Sequence, residues 1–423
     1  MNLFEKKALE LDQKDSLAHF KNRFVNDSNL IYLDGNSLGK LPKATIAASA
    51  SLLENQWGNR LIRSWNEEWI DLSNVISKKI AKLVGAQPDE IFVGDTTSLN
   101  LYKLVYAALE FGKGKEKIIT DALNFPSDLY VLEGLVNQHF KKHQIEIVGD
   151  SNDVLIENEA INKQLDLNTA LLTLSLVTYK SSFMYNMKEI NELAHAKNSL
   201  VLWDLSHAVG AVPIDLNKSN ADLAVGCTYK YLNGGPGAPA FLYVKKSLQE
   251  KLRNPIWSWF SHEKPFDFNL NYQPGEGIHK FAVSTPSILS LAPVDQGVSV
   301  VLDAGMENLR IKSVAQSSFL LALIEEELIP LGFKIASPLE SEKRGSHIAI
   351  QHSEGYRINQ AMIQPKVGAK IIIPDFRPPN NIRLGIAPLY ITYMDLYEAV
   401  QRIKNIVEFK EYEKYSKKKA LVT

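Results

Sequence analysis

From about residue 90 onward, short apolar runs alternate with longer segments whose apolar residues recur every three or four positions. "EIFVG" (90–94) reads as a strand. "DTTSLNLYKLVYAALEF" (95–111) opens with capping residues and continues as a helical apolar pattern. "EKIIT" (116–120), "IEIVGD" (145–150), "TALLTLSLV" (169–177), "SLVLWDLS" (199–206) and "PAFLYVKK" (239–246) are further strands. "FPSDLYVLEGLVNQHFKKH" (125–143) and "MKEINELAHAKN" (187–198) are amphipathic helices between them. Strands that alternate with helices predict βαβ units and an α/β fold with a mostly parallel sheet. In such sheets ligands gather at the carboxyl ends of the strands.

The pattern changes near residue 300. Two helical stretches, 302–328 and 392–418, bracket the strand-like pieces "SHIAIQH" (346–352) and "KIIIPDF" (370–376). This predicts a smaller α+β C-terminal domain over 301–423 and a large domain over 51–300. Residues 1–50 are expected to contribute to the small domain. There is no internal repeat.

Composition narrows the function. The chain has 423 residues, 45% of them hydrophobic and 22% charged, as in ordinary globular proteins. A net charge of −1 gives no general attraction to nucleic acid or to an anionic membrane. The lysines at 414, 417, 418 and 419 read as a solvated end. Cys227 is the single cysteine, which excludes an internal disulfide framework and a cysteine-based metal site; no metal is expected. The first fifteen residues carry acids, unlike a secretory or transit leader, and no apolar run approaches about 18 residues. The expected compartment is the reducing cytoplasm.

The candidate chemistry centres on "VGCTYKYLNGGPGAPAFLYV" (225–244), where Lys230 stands among apolar and aromatic residues ahead of a glycine-rich loop. Asp204 ends an apolar strand, with His207 three residues later. Asp204 either caps the next turn or partners a basic group. Lys230 and Asp204 together match the needs of a pyridoxal phosphate site. The cofactor's aldehyde needs a lysine amine, and its ring nitrogen needs a carboxylate partner. Thr96, Thr97 and Ser98 lie at a strand-to-helix junction, where helix N–H groups suit a phosphate or serve as a simple cap. Tyr229 offers a phenol to the same phosphate. Phe125 and Asp128, in "NFPSDLY", add a ring and a second carboxylate, although this run is also an ordinary helix start. Arg383, in "NNIRLGIAPLY", either binds a carboxylate ligand or pairs with a nearby acid.

At these residues the chain resembles the kynureninase family, within the fold-type I, class V aminotransferase-like group of pyridoxal phosphate enzymes. The resemblance runs from "IYLDGNSLGKLP" (31–42) to "RLGIAPLY" (383–390) and includes "RSWN", "NFPSDLY", "DLSHAVGAVPIDL", "ADLAVGCTYKYLNGGPGAPAFLYV" and "IPDFRPPNNIRLGIAPLY". It implies a fold-type I architecture with a seven-stranded large-domain sheet. The implied reaction is hydrolysis of L-kynurenine or 3-hydroxykynurenine to anthranilate or 3-hydroxyanthranilate and L-alanine, in tryptophan degradation or NAD precursor synthesis.

The resemblance also assigns roles. Lys230 joins the cofactor, Asp204 pairs with its ring nitrogen, and His207 stands beside. Phe125, Pro126, Ser127 and Asp128 form a wall against the ring. Thr97, Ser98 and Tyr229 bind the phosphate region, and Ser175 is a further cofactor contact. Trp259 and Thr285 reach a cofactor in the opposite subunit, making the active unit a homodimer. Arg383 takes the substrate α-carboxylate, with Asn36 near the amino-acid end and Trp65 near the aromatic end. Lys230, Asp204 and Tyr229 are the expected catalytic set. The chain departs from the family's pattern at Ser258 and Ser261, which flank Trp259 and Phe260, and at Leu176 through Ser182. A cysteine desulfurase, an aminotransferase and a non-catalytic relative of the same fold are the rival readings.

Overall fold

The computed structural model describes residues 2–366 and 368–418; Lys419 of the basic tail lies outside the described residues. The strands are β1 (Leu30–Tyr32), β2 (Ile91–Val93), β3 (Lys117–Asp121), β4 (Gln144–Val148), β5 (Thr169–Ser175), β6 (Leu200–Asp204), β7 (Leu223–Gly226), β8 (Phe241–Val244), β9 (Lys334–Ile335), β10 (His347–Gln351), β11 (Ile371–Ile373), β12 (Asp375–Arg377) and β13 (Asn381–Gly385).

Seven of them form the large sheet in the order β2-β8-β7-β6-β5-β3-β4. It is mostly parallel, as the alternating pattern requires. The exception is β8, which runs antiparallel to both β2 and β7. Every residue of β5, β7 and β8 is buried, because helices cover both faces. Side chains alternate across the sheet. Leu171, Leu202 and Leu223 point into a layer closed by Leu101, Leu104, Val105 and Ala108 of the helix Thr97–Phe111. Leu172, Val201, Trp203 and Ala224 point the other way, into a core shared with Ile76 and Ile80 of the helix Ile70–Val84 and Ile190 of the helix Met187–His195.

The C-terminal part contains an antiparallel sheet, β12-β13-β10-β9. β1 pairs in parallel with β11, Leu30 opposite Ile371, so an N-terminal strand completes C-terminal structure. Phe319 joins the helices of this region, packing edge-on to Phe4 at 6.2 Å and to Tyr393 at 5.7 Å.

Both long helical expectations need correction. The stretch 302–328 is the end of one helix (Ile288–Ala304) and the whole of another (Met306–Glu327). Gly305 separates them at φ 79°, and they meet at a bend of 78°. A left-handed residue cannot continue an α-helix, and glycine adopts that conformation at little cost. The stretch 392–418 ends as a helix at Glu408, because Lys410 takes φ 51°. No single helix among the described residues is long and apolar enough to cross a membrane.

Candidate active site

The segments that follow β2, β3, β6 and β7 converge on one pocket. It has a volume of about 230 Å³ and is lined by Thr96–Ser98, Phe125, Ser127, Asp128, Asp204, Ser206, Tyr229 and Lys230, with Gly237 and Ala238 at its edge. Asp204 is the last residue of β6; its Oδ1 accepts the Ser206 N–H at 2.8 Å. Burial pushes the Asp204 carboxyl up, and the Lys230 charge pulls it back down. A cation near that carboxylate favours its ionised form.

The Lys230 amine lies 3.3 Å from both ring nitrogens of His207 and 5.9 Å from the Phe125 ring centroid. Burial, then the charges of Lys230 and Arg383, hold His207 well below the ordinary histidine range. Its imidazole is neutral and can accept a hydrogen bond from the amine. Asp128 sits in the first turn of the helix Pro126–Gln138. Burial and the Asp204 charge push its carboxyl up, and its Oδ2 has no hydrogen-bond partner. An unsatisfied buried oxygen facing a polar pocket marks a position where a ligand group completes the bonding.

The opposite wall is the start of the helix Thr97–Phe111. Thr96 caps it, accepting the Leu99 N–H at 3.3 Å. The N–H groups of Thr97 and Ser98 have no intrahelical partner by position, and together with the helix dipole they favour an anion. The ring wall is fixed from beneath. Ser175 donates to Asn124 Oδ1 at 2.6 Å, and the same oxygen accepts the Phe125 N–H at 2.9 Å. Ser175 thus lies under the ring wall rather than in the pocket. Phe125 also packs edge-on to Tyr179 at 5.2 Å.

The "GNSLG" turn from the N-terminal part clamps the lysine loop. The Gly39 N–H donates to Tyr229 O at 2.8 Å. A Cβ on Gly39 would stand 2.3 Å from the Lys230 carbonyl oxygen, so only glycine permits this approach.

Arg383, on β13, is buried, and its charge acts on His207. Its Nε donates to Asp375 Oδ2 at 2.6 Å, and its Nη2 donates to the same oxygen and to Ser37 Oγ at 3.0 Å. Its Nη1 donates to Tyr179 O at 2.6 Å. Asp375 is its cross-strand neighbour in register. Asn36 is also fully buried, and its amide fills the notch at Gly385 two residues on from Arg383. Trp65 is not among the residues lining the Lys230 pocket and packs edge-on to Trp69 at 5.5 Å. Neither Trp259 nor Thr285 lines the Lys230 pocket of its own chain. The Trp259 indole N–H bonds Pro265 O, and Thr285 borders a separate cavity of about 100 Å³ with Asp95 and Phe260.

Three participants are absent from the residues singled out in the sequence: Asp375, His347 and Asn124. Asp375 stands in the "IPDFRPPNNIR" run, eight residues before Arg383, but only the strand register shows that the two meet. His347 starts β10, its ring 6.2 Å from that of His207; burial and the Arg383 charge hold it well below its usual range.

The donor set fits pyridoxal phosphate: an amine for the aldehyde, a buried carboxylate for the ring nitrogen, a ring for stacking and a helix start for the phosphate. Comparison with known proteins agrees. Residues 309–403 match the family model described as the kynureninase C-terminal domain. The chain is 38% identical over 409 residues to kynureninase from Pseudomonas fluorescens, covering 96% of this chain and 95% of that protein. Its fold resembles the apo cysteine desulfurase of Thermococcus onnurineus NA1, with a TM-score of 0.77 at 16% identity over 95% of this chain and 98% of that one. It also resembles a C-DES variant with glycine covalently linked to the PLP cofactor, with a TM-score of 0.79 at 15% identity over 91% and 99%.

Proposed function

The chain belongs to the kynureninase family, and on that premise we propose that it hydrolyses L-kynurenine, or its 3-hydroxy derivative, to L-alanine and anthranilate or 3-hydroxyanthranilate. The observation that carries this reading is the convergence of Lys230, Asp204 and Phe125 on one pocket, in a chain similar over nearly its whole length to a kynureninase. Lys230 would hold the aldehyde carbon of pyridoxal phosphate, Asp204 the ring nitrogen, Phe125 and Asp128 the ring wall, and Thr97, Ser98 and Tyr229 the phosphate. When bound, the cofactor supplies an electron sink for charge developing at the substrate's α-carbon.

The chain's own residues do the rest. Asp204, buried with the Lys230 charge favouring its ionised form, would keep a proton on the ring nitrogen. The Lys230 amine, with neutral His207 at 3.3 Å, takes the proton from the substrate's α-carbon. Cys227, then burial and the Asp204 charge, push the Tyr229 phenol up, so it stays protonated and serves as a donor. Water adds to the γ-carbonyl and the Cβ–Cγ bond breaks. The carbonyl carbon leaves as the carboxylate of anthranilate, and Cβ takes up a proton from Tyr229. A proton of the added water restores the phenol, and Lys230 returns its proton to the α-carbon to complete alanine. Arg383 binds the substrate α-carboxylate and orients the α-carbon toward Lys230.

The active unit proposed is a homodimer, with Trp259 and Thr285 serving the neighbouring pocket. In support, both lie outside the pocket of their own chain, and the surrounding loop exposes Trp257, Phe266, Phe268 and Leu270. The proposed setting is tryptophan breakdown or NAD precursor synthesis in the cytoplasm, where Cys227 would remain a free thiol. A desulfurase needs an exposed, reactive thiol. Cys227 is 1% exposed and burial pushes its thiol up, which disfavours that chemistry.

Anthranilate fluorescence on mixing purified protein, pyridoxal phosphate and L-kynurenine tests the reading. The protein should also take up a visible chromophore that borohydride abolishes and that Lys230→Ala lacks. A chromophore retained by Lys230→Ala, or neither anthranilate from L-kynurenine nor 3-hydroxyanthranilate from its 3-hydroxy derivative, refutes it.

A further inference from the structure

One ion pair beside the pocket is unused by the roles above. Lys103, on the buried side of the helix Thr97–Phe111, is fully buried. A buried ammonium is costly unless it is paired and hydrogen-bonded. Its Nζ lies 2.8 Å from Asp95 Oδ2, donates to the Phe281 carbonyl oxygen at 2.7 Å, and stands 5.3 Å from the Phe92 ring centroid. Burial pushes the Lys103 amine down from its ordinary range, and the Asp95 charge works against that.

Asp95 immediately precedes Thr96, Thr97 and Ser98, which line the pocket at the helix start. Its backbone is held in the left-handed region at φ 57°, and its carbonyl accepts the Ala240 N–H at 2.8 Å. A carboxylate thus directly precedes the cradle in the chain and borders the adjoining cavity with Phe260 and Thr285. Alone, it would repel a phosphate dianion through poorly screening protein.

We propose that Lys103 is a positioning residue for the cofactor's phosphate: its pairing with Asp95 cancels a like charge at the cradle, and its bond to the Phe281 carbonyl ties the cradle to the segment leading to Thr285. This rests on the pyridoxal phosphate reading of the pocket. It also gives a reason for a fully buried lysine two turns into a helix whose first turn would hold the phosphate.

The test compares dissociation constants for pyridoxal phosphate and for pyridoxal, which lacks the phosphate, by equilibrium dialysis. Lys103→Met should bind pyridoxal phosphate at least about ten-fold more weakly, with pyridoxal changed less than about two-fold. The double variant Asp95→Asn/Lys103→Met should recover most of the loss. Asp95→Asn alone, where asparagine tolerates the same left-handed backbone, should bind pyridoxal phosphate at least as tightly as the parent. Equal losses for the two ligands, or a double variant no better than the single, overturn the inference. If Lys103→Met does not fold, weaker pyridoxal phosphate binding by Asp95→Asn overturns it. Failure of the parent protein to bind pyridoxal phosphate sinks the reading of the pocket itself; tight binding by both parent and Lys103→Met sinks only the role of Lys103.

Discussion

Replacing Arg383 separates two jobs that the structure gives to one side chain. Its guanidinium is 1% exposed and bonds Asp375, Ser37 and the Tyr179 carbonyl. Arg383→Met removes the proposed α-carboxylate partner. A charge-assisted hydrogen bond is worth about 1.5–3 kcal/mol, or about ten- to a hundred-fold in kcat/KM. The same change leaves Asp375 buried with its remaining cation, the Arg377 Nε at 3.1 Å. Breaking a buried ion pair costs about 3–5 kcal/mol, and Arg377 should hold the loss to the lower end. Asp375→Asn added to Arg383→Met removes the stranded charge, so it should restore most of the stability and none of the substrate affinity. Urea unfolding reads the first quantity, and anthranilate fluorescence across kynurenine concentrations reads the second. An unchanged KM in Arg383→Met removes Arg383 from the carboxylate role. Equal stability of the single and double variants shows that the Asp375 charge was never the issue.

Further outcomes follow from individual contacts. Gly39→Ala forces a Cβ against the Lys230 carbonyl oxygen; it should cost about 1–3 kcal/mol of stability and loosen the cofactor, read as faster loss of the visible chromophore on dialysis. Cys227→Ala should keep near-parental turnover, and native protein should resist thiol reagents until unfolded; rapid native labelling contradicts the burial argument. His347→Gln should flatten the acid side of the stability profile. Unfolded histidine takes up a proton near pH 6.5, whereas burial and Arg383 keep the folded side chain neutral. The unfolded chain therefore binds more protons below that value, and this contribution destabilises the parent as pH falls through 6.5 but vanishes above it. Urea midpoints of parent and variant that move in parallel between pH 7.5 and 5.5 would count against this.

Much of the large sheet is legible along the chain because its strands are buried on both faces. "TALLTLS" and "LVLWD" are nearly continuous apolar runs, and the helices between them carry caps and a three-to-four spacing. Asp204, which ends one of those runs, is legible for the same reason: a polar group after a buried strand is conspicuous. Strand direction is not. Nothing in "AFLYV" distinguishes the antiparallel β8 from its parallel neighbours, since side chains alternate identically in both.

The sequence by itself determined an α/β chain with a lysine, a carboxylate and a helix start at strand ends, because burial pattern and capping are local properties. Tertiary structure alone decided which of these groups meet. β1 finds β11 across some 340 positions, Arg383 finds Asp375 through strand register, and Lys103 finds Asp95 and Phe281 where a helix start, a sheet edge and a distant segment pack together. Such pairings are set by the closure of the whole chain, and no local pattern of polar and apolar residues encodes them.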